Sequence, residues 1–318
     1  MRSHQLTKYQ RDNPILSHNP KASELDDAVK EIHNEIIFEG DKPHTTVEEE
    51  LKILSLLQKT DFGQFLIKNS GLNGYWSDAI IFLPQKTLHN PHHADSDIDE
   101  FMNLMVNQLP SVLARRESFA IYHHILQKNL FENIVICSIP CGLMRDLYTL
   151  DYSALKNFSL IGLDLDAESL SLASSLSQEY NLTQYCEFHQ MDAWKMPYKE
   201  CFDIVTCHGL TIYEYDDDNV ISLYKNIFNS LKVGGKFISS YLTPPPNKHV
   251  ETEWKLERIN TEALRLQKVI FSDILQAKWN AYRSSELTKS QLFQAGFDDV
   301  EIHYDQAHIL PSFIAYKK

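Results

Sequence analysis

The chain has 318 residues, 43 acidic against 30 basic side chains for a net charge of -13, and is 43% hydrophobic and 23% charged. This composition can bury a core and is too apolar for a disordered chain, and the length accommodates a large α/β domain plus a further part of roughly 100 residues. The negative balance repels phosphate backbones and anionic lipid, so neither nucleic acid nor a membrane is expected as a partner.

Met1 to Asn19 carries Lys8, Arg11 and Asp12 and lacks the apolar core of a signal peptide, and no later segment reaches about 18 uninterrupted apolar residues. The five cysteines, Cys137, Cys141, Cys186, Cys201 and Cys207, are odd in number and several sit in apolar runs, which predicts reduced thiols and a cytoplasmic chain. From Leu25 to about Leu130 apolar residues recur at three- and four-residue spacing, as in Leu25, Val29, Ile32 and Ile36, then Leu51, Leu54 and Leu57. That periodicity predicts helices, with breaks at Gly40 to Pro43, Gly71 to Gly74 and Pro84 to Asp97. In the last break His92, His93, Asp95 and Asp97 are ligand-type residues, but adjacent histidines rarely converge on one ion, and no metal is expected.

After Glu132 short apolar runs alternate with amphipathic stretches. Strands are predicted near residues 134–139, 158–163, 185–189, 202–206, 236–241, 300–304 and 312–316. Helices are predicted after Cys141, at 167–180, at 218–231, over a long stretch at 251–282, and at 290–295. The pattern is that of a mostly parallel seven-stranded α/β sheet with helices on both faces. It divides the chain into a helical part at 1–130 and a sheet domain at 131–318, with a helical insertion at about 250–283.

In such a sheet the ligand lies beyond the carboxyl ends of the strands. After the first apolar run comes Ser138-Ile139-Pro140-Cys141-Gly142-Leu143-Met144-Arg145-Asp146, a tight strand-to-helix turn in which Gly142 can take a positive φ. After the second comes Gly162-Leu163-Asp164-Leu165-Asp166, with Asp164 22 positions beyond Gly142 and able to accept both hydroxyls of a ribose. Asp166 suits the N-cap of the following helix better. After the third, Met191-Asp192-Ala193-Trp194 offers a carboxylate for an adenine amino group and a backbone amide for its ring. After the fourth, Cys207-His208-Gly209-Leu210 offers a proton acceptor and a backbone-exposing glycine.

These ordered loops, with Lys232-Val233-Gly234-Gly235-Lys236 before the fifth strand and Gln294-Ala295-Gly296-Phe297 before the last pair, resemble the class I S-adenosylmethionine-dependent methyltransferases over about residues 132–318. The resemblance implies a Rossmann-like fold, S-adenosylmethionine as cofactor and S-adenosylhomocysteine as product. It implies that Asp164 holds the ribose, that Asp192 and Ala193 hold the adenine, that Cys141, Gly142 and Cys207 pass close to the methionine moiety, and that Ser138, Pro140, Leu165, Trp194, His208 and Gly209 belong to the same cofactor site. Gly74-Tyr75-Trp76, Pro140 to Met144 and Leu242 to Pro246 are also similar to a bacterial subgroup with a helical amino-terminal part, which implies a lid and supplies no substrate.

The first loop departs from the family's acidic-x-Gly-x-Gly-x-Gly: Ser138 replaces the acid, Pro140 the first glycine and Met144 the third. Arg145 can compensate by pairing with a carboxylate, and Arg116 can meet that of the methionine moiety. Two functions therefore stay open, an active methyltransferase and a catalytically degenerate relative that binds S-adenosylmethionine for regulation or assembly. The glycine-rich turn of a nicotinamide-dependent oxidoreductase is absent. A small-molecule acceptor is expected, with a protein acceptor as the other possibility, and His208, Tyr213 and Glu214 are the candidates to take its proton. Oligomeric state is not legible in these residues.

Overall fold

A computed structural model of the protein describes residues 24–82, 96–246 and 252–318. Helices α1 (Leu25–Glu39), α2 (Val47–Gln58), α3 (Asp61–Asn69), α4 (Gly74–Phe82), α5 (Ser96–Asn107) and α6 (Pro110–Lys128) come first. They are followed by β1 (Ile134–Ser138), α7 (Arg145–Tyr148), β2 (Phe158–Asp164), α8 (Ala167–Glu179), β3 (Cys186–Gln190), β4 (Phe202–Cys207), α9 (Asp217–Ser230) and β5 (Leu231–Ser240). The chain closes with α10 (Thr261–Lys268), α11 (Ser285–Ala295), β6 (Asp299–His303) and β7 (Ser312–Tyr316). Two compact units result. One holds the described residues up to Leu113 together with Leu256–Trp279, the other Ala114–Lys255 and Asn280–Lys318. His92, His93 and Asp95 lie outside the described residues.

In the helical unit, local signals set where helices begin. The Thr46 and Thr60 hydroxyls accept from the amides of Glu49 and Gly63 at 3.2 and 3.0 Å, satisfying donors that the first turn leaves over. Its core joins Leu57, Phe65, Leu66, Trp76, Met102 and Leu109 to Val269, Ile270 and Ile274 from the late segment. Trp76, one of the aromatic residues expected of a lid, is 1% exposed and packs 5.0 Å from the Phe62 ring. Trp279 packs against Phe271 in the same unit.

The long helix expected over 251–282 is a correction. Asn260 caps α10 by accepting from the Ala263 amide at 2.9 Å, so regular helix begins only at Thr261. α10 then widens into a π-helical segment, Val269–Ile274, and the chain turns out of the helix at Gln276, where φ is +44°. The Lys278 amide donates to the Ser70 carbonyl at 2.8 Å. An apolar run satisfies helical spacing whatever its length, so periodicity cannot place that end.

The sheet unit has strand order β3-β2-β1-β4-β5-β7-β6. β1 to β5 pair in parallel, and β7 pairs antiparallel to both β5 and β6, giving the seven-stranded Rossmann-like sheet expected. Successive side chains of a strand point to opposite faces. Accordingly Ile134, Ile136, Leu160 and Ile204 join a core with Tyr122, Leu126, Leu147 and Leu176 from α6, α7 and α8. Cys137, Leu163, Val205 and Phe237 join the opposite core with Leu223, Ile227 and Leu292 from α9 and α11. Both faces are covered at the centre of the sheet, which is why β1, β2 and β4 read as continuous apolar runs.

Candidate functional site

The turn after β1 is stitched to its neighbours on both sides. Buried Ser138 pairs with Gly162 of β2 and Thr206 of β4, the Ile139 amide donates to the Thr206 carbonyl at 2.9 Å, and the Cys141 amide donates to the Leu163 carbonyl at 2.8 Å. Gly142 has φ of +50° and Met144 of +55°, so Met144 adopts the left-handed backbone where the family motif has its third glycine. An L side chain there costs about 1–2 kcal/mol, which the Met144 side chain meets by complete burial over Gly162. A Cβ on Gly162 would fall 2.6 Å from the Met144 sulfur. The Cys141 thiol is buried, and its pKa is held far above the ordinary value by desolvation, with the carboxylates of Asp164 and Asp146 adding to it.

Asp164 ends β2 with its carboxylate buried against this turn. The Gly142 amide donates to one oxygen at 2.9 Å and the Asp166 amide to the other at 3.0 Å. Desolvation raises its pKa to about 6, against the lowering effect of those amides. Asp166 caps α8, accepting from the Glu168 amide at 3.0 Å and the Ser169 hydroxyl at 2.8 Å. Leu165 between them is exposed, and its carbonyl accepts from the Gln190 side chain at 3.0 Å. Beyond β3, Asp192 accepts from the Trp194 amide at 3.0 Å, Ala193 is buried, and the Trp194 indole donates to the Asn219 carbonyl at 2.9 Å. The loops after β1, β2 and β3 thus bring Ser138, Pro140, Cys141, Gly142, Asp164, Leu165, Asp192, Ala193 and Trp194 to the carboxyl end of the sheet.

The end of β4 is organised differently. Cys207 is buried with its carbonyl accepting from the Tyr122 hydroxyl at 3.1 Å and the Ser239 hydroxyl at 2.6 Å. The His208 ring lies 3.4 Å, centroid to centroid, from that of Tyr122, and its Nε2 is enclosed without a partner. Desolvation, reinforced by the nearby Arg115 charge, lowers the His208 pKa to about 3. A proton acceptor expected from its type is therefore a neutral imidazole with little basicity at pH 7.

Arg115 sits beside it. A Cβ on Gly209, where φ is +69°, would lie 4.0 Å from the Arg115 Nη1, an ordinary contact distance that places the end of the guanidinium beside this turn. The Arg115 Nε is buried without a partner, and desolvation lowers the pKa of the group against the opposing effect of Tyr213. Its neighbour Arg116, expected at the methionine carboxylate, is half-buried and lowered by desolvation alone. Arg145 opens α7 directly behind the first loop.

Tyr213 ends a short 3-10 turn, Thr211–Tyr213, and Glu214 follows it, accepting from the Asp216 amide at 2.9 Å. One residue that no motif marks holds this loop. Arg283, 3% exposed, donates to the carbonyls of Thr211 at 3.0 Å and Glu214 at 2.7 Å and to the Asp217 carboxylate at 3.0 Å.

An adenosyl nucleoside fits these residues. Each Asp164 oxygen accepts one amide, and an ionised carboxylate offers about four lone-pair sites in all, so acceptor capacity remains for hydroxyl donors.

Residues 130–291, half of the chain, match a family described as a methyltransferase domain. A possible exported protein from Bordetella parapertussis, known by its crystal structure, is 34% identical, with a TM-score of 0.85 over 92% of this chain and 95% of that one. The CurJ carbon methyltransferase is 12% identical with a TM-score of 0.50 over 98% of this chain and 89% of that one. The methyltransferase domain of the citrinin polyketide synthase is 14% identical with a TM-score of 0.50 over 85% of this chain and 68% of that one. At such identities these last two share the fold. No curated protein matches. Among the described residues, no helix is long and apolar enough to cross a membrane.

Proposed function

Since the chain belongs to the class I S-adenosylmethionine-dependent methyltransferase family, we propose that it transfers a methyl group from S-adenosylmethionine to a small-molecule acceptor by direct in-line displacement. The observation that carries this reading is the Asp164 carboxylate, buried at the end of β2 and bonded to the Gly142 amide of the first loop at 2.9 Å. When bound, the sulfonium supplies a methyl carbon already activated for displacement. The chain's own work is alignment and exclusion of water. Asp164 accepts the ribose hydroxyls, Asp192 and the Ala193 backbone meet the adenine, and the turn from Ser138 to Gly142 borders the methionine moiety.

The acceptor's lone pair forms the new bond to the methyl carbon while the carbon–sulfur bond breaks, and its electron pair stays on sulfur, leaving S-adenosylhomocysteine. A proton lost by the acceptor passes toward the Glu214 carboxylate and on to water, while the Tyr213 phenol, expected as a proton acceptor by its place, is too weak a base for that step at neutral pH. His208 stays neutral and takes no proton at pH 7. The left-handed Met144 supports an active site over a degenerate one, because the backbone turn persists where the glycine does not.

Calorimetric titration of S-adenosylmethionine, S-adenosylhomocysteine and NADH, with Asp164→Ala as control, tests the reading. Binding of the first two alone supports it. No binding of either adenosyl compound up to millimolar concentration would overturn it in favour of a scaffold role.

A further inference from the structure

We propose that the methyl acceptor carries a carboxylate, and that Arg115, flanked by His208 and Tyr213 at the end of β4, is the group that receives it. The proposal rests on the methyl-transfer role argued above and adds a class of substrate to it. A guanidinium taken out of water without a counter-ion is costly, and proteins retain one where a partner compensates it. Among the described residues Arg115 has no ion pair or hydrogen bond, its half-buried side chain has the Nε sealed from solvent, and the titratable group acting on it is the Tyr213 phenol rather than a carboxylate. The compensating charge is thus left for a ligand to bring.

The surroundings give that ligand a shape and a side of entry. Gly209 presents no side chain toward the Nη1, and the planar fork of arginine matches a carboxylate through two parallel hydrogen bonds. The enclosed His208 Nε2 is a further unsatisfied polar atom at the same place. The groups at the ends of β2 and β3 are of the opposite kind. Asp164 and Asp192 are acceptors suited to the hydroxyl and amino donors of a nucleoside. Arg115 is therefore on the side of Tyr213, the acceptor side. In a chain of net charge -13 the bulk field repels anions, and an anionic acceptor needs such a local cation.

The cofactor has a carboxylate of its own, and the experiment separates the two sources. S-adenosylhomocysteine and 5'-methylthioadenosine, which lacks the amino acid part, are titrated into the wild-type chain, Arg115→Gln and Arg115→Lys. Benzoate and its neutral isostere benzamide are then compared as thermal stabilisers of each protein saturated with S-adenosylhomocysteine. The expected result is that Arg115→Gln changes the affinity for both nucleosides by less than about twofold. Benzoate, and not benzamide, should raise the wild-type melting temperature, and this rise should vanish in Arg115→Gln and persist in part in Arg115→Lys. Retained binding of 5'-methylthioadenosine shows that a variant is folded. If Arg115→Gln binds neither nucleoside, Arg115→Lys, which keeps the charge and loses the fork, carries the comparison, and an unreduced benzoate effect there would overturn the proposal. A loss of about tenfold or more for S-adenosylhomocysteine alone would assign Arg115 to the cofactor and overturn it. So would a benzoate effect that is absent from the wild type or unchanged in Arg115→Gln. Absence of nucleoside binding to the wild-type chain would instead sink the methyl-transfer reading itself.

Discussion

Asp164 and Arg115 are both charged and both at the carboxyl end of one sheet, one buried and the other half-buried with its Nε enclosed, yet they are treated in opposite ways. Asp164 is held by two backbone amides, one from the turn after β1 and one from the start of α8. Arg115 has its Nε enclosed without a partner, beside a histidine in the same condition. A buried group satisfied by backbone fixes geometry before any ligand arrives. One left unsatisfied stores a cost that a ligand can remove. The β2 side of the rim is thus preorganised by backbone, and the β4 side keeps the Arg115 Nε and the His208 Nε2 unpaired among the described residues.

Four measurements sharpen or break this contrast. The largest effect is expected from Arg283→Ala, which strips hydrogen bonds from the Thr211 and Glu214 carbonyls and leaves the loop after β4 unclamped. A stability loss of about 2–5 kcal/mol in denaturant unfolding is expected, from two carbonyls left without their donor. A loss below about 1 kcal/mol would mean that the loop is held by other groups.

The next effect is on stability against pH. The pKa of Asp164 is raised in the folded chain to about 6, so its contribution favours folding below the unfolded value near 4 and is lost as pH rises through 6. Asp164→Asn should remove that slope and stabilise the unliganded protein at pH 7 by up to about 3 kcal/mol. Equal slopes in the two proteins between pH 4 and 6 would show that Asp164 is not desolvated as described.

Ligand binding should respond in the other sense. Asp164→Ala is expected to weaken S-adenosylhomocysteine by about 1–3 kcal/mol in calorimetry. Because the hydroxyl donors need the ionised carboxylate, wild-type affinity should fall as pH drops below about 6 and be level above it. The smallest effect concerns His208. With its pKa lowered to about 3, its ring resonance should not titrate between about pH 5 and 8 by NMR, and an inflection near 6.5 would refute its enclosure.

The central strands were legible because β1, β2 and β4 lie in the parallel part of a sheet covered on both faces, and a run such as Ile134 to Ser138 or Phe202 to Cys207 has nothing else to do than fill two cores. Asp164 was legible for a related reason: it is the first acid after such a run, and Asp166 takes the capping task away from it. Arg115 was not separable from Arg116, since neighbours on a helix point about 100° apart and the sequence does not say which direction faces the crevice. Arg283 carries no local signal, because its partners Thr211, Glu214 and Asp217 are distant along the chain. The weak basicity of His208 comes wholly from burial and from Arg115, neither of which is a property of residue type. Met144 was read as a lost glycine, whereas the backbone keeps the conformation and only the side chain differs.

The core of the helical unit is completed by Val269, Ile270, Ile274 and Leu275, which the chain delivers only after it has built five strands of the other unit. On a ribosome adding about 5–20 residues per second, the apolar flanks of α1 to α5 must wait on the order of ten seconds for these last pieces. Helices α1 to α5 are thus synthesised before the sheet and finished after most of it, and no single cut in the polypeptide releases either unit whole.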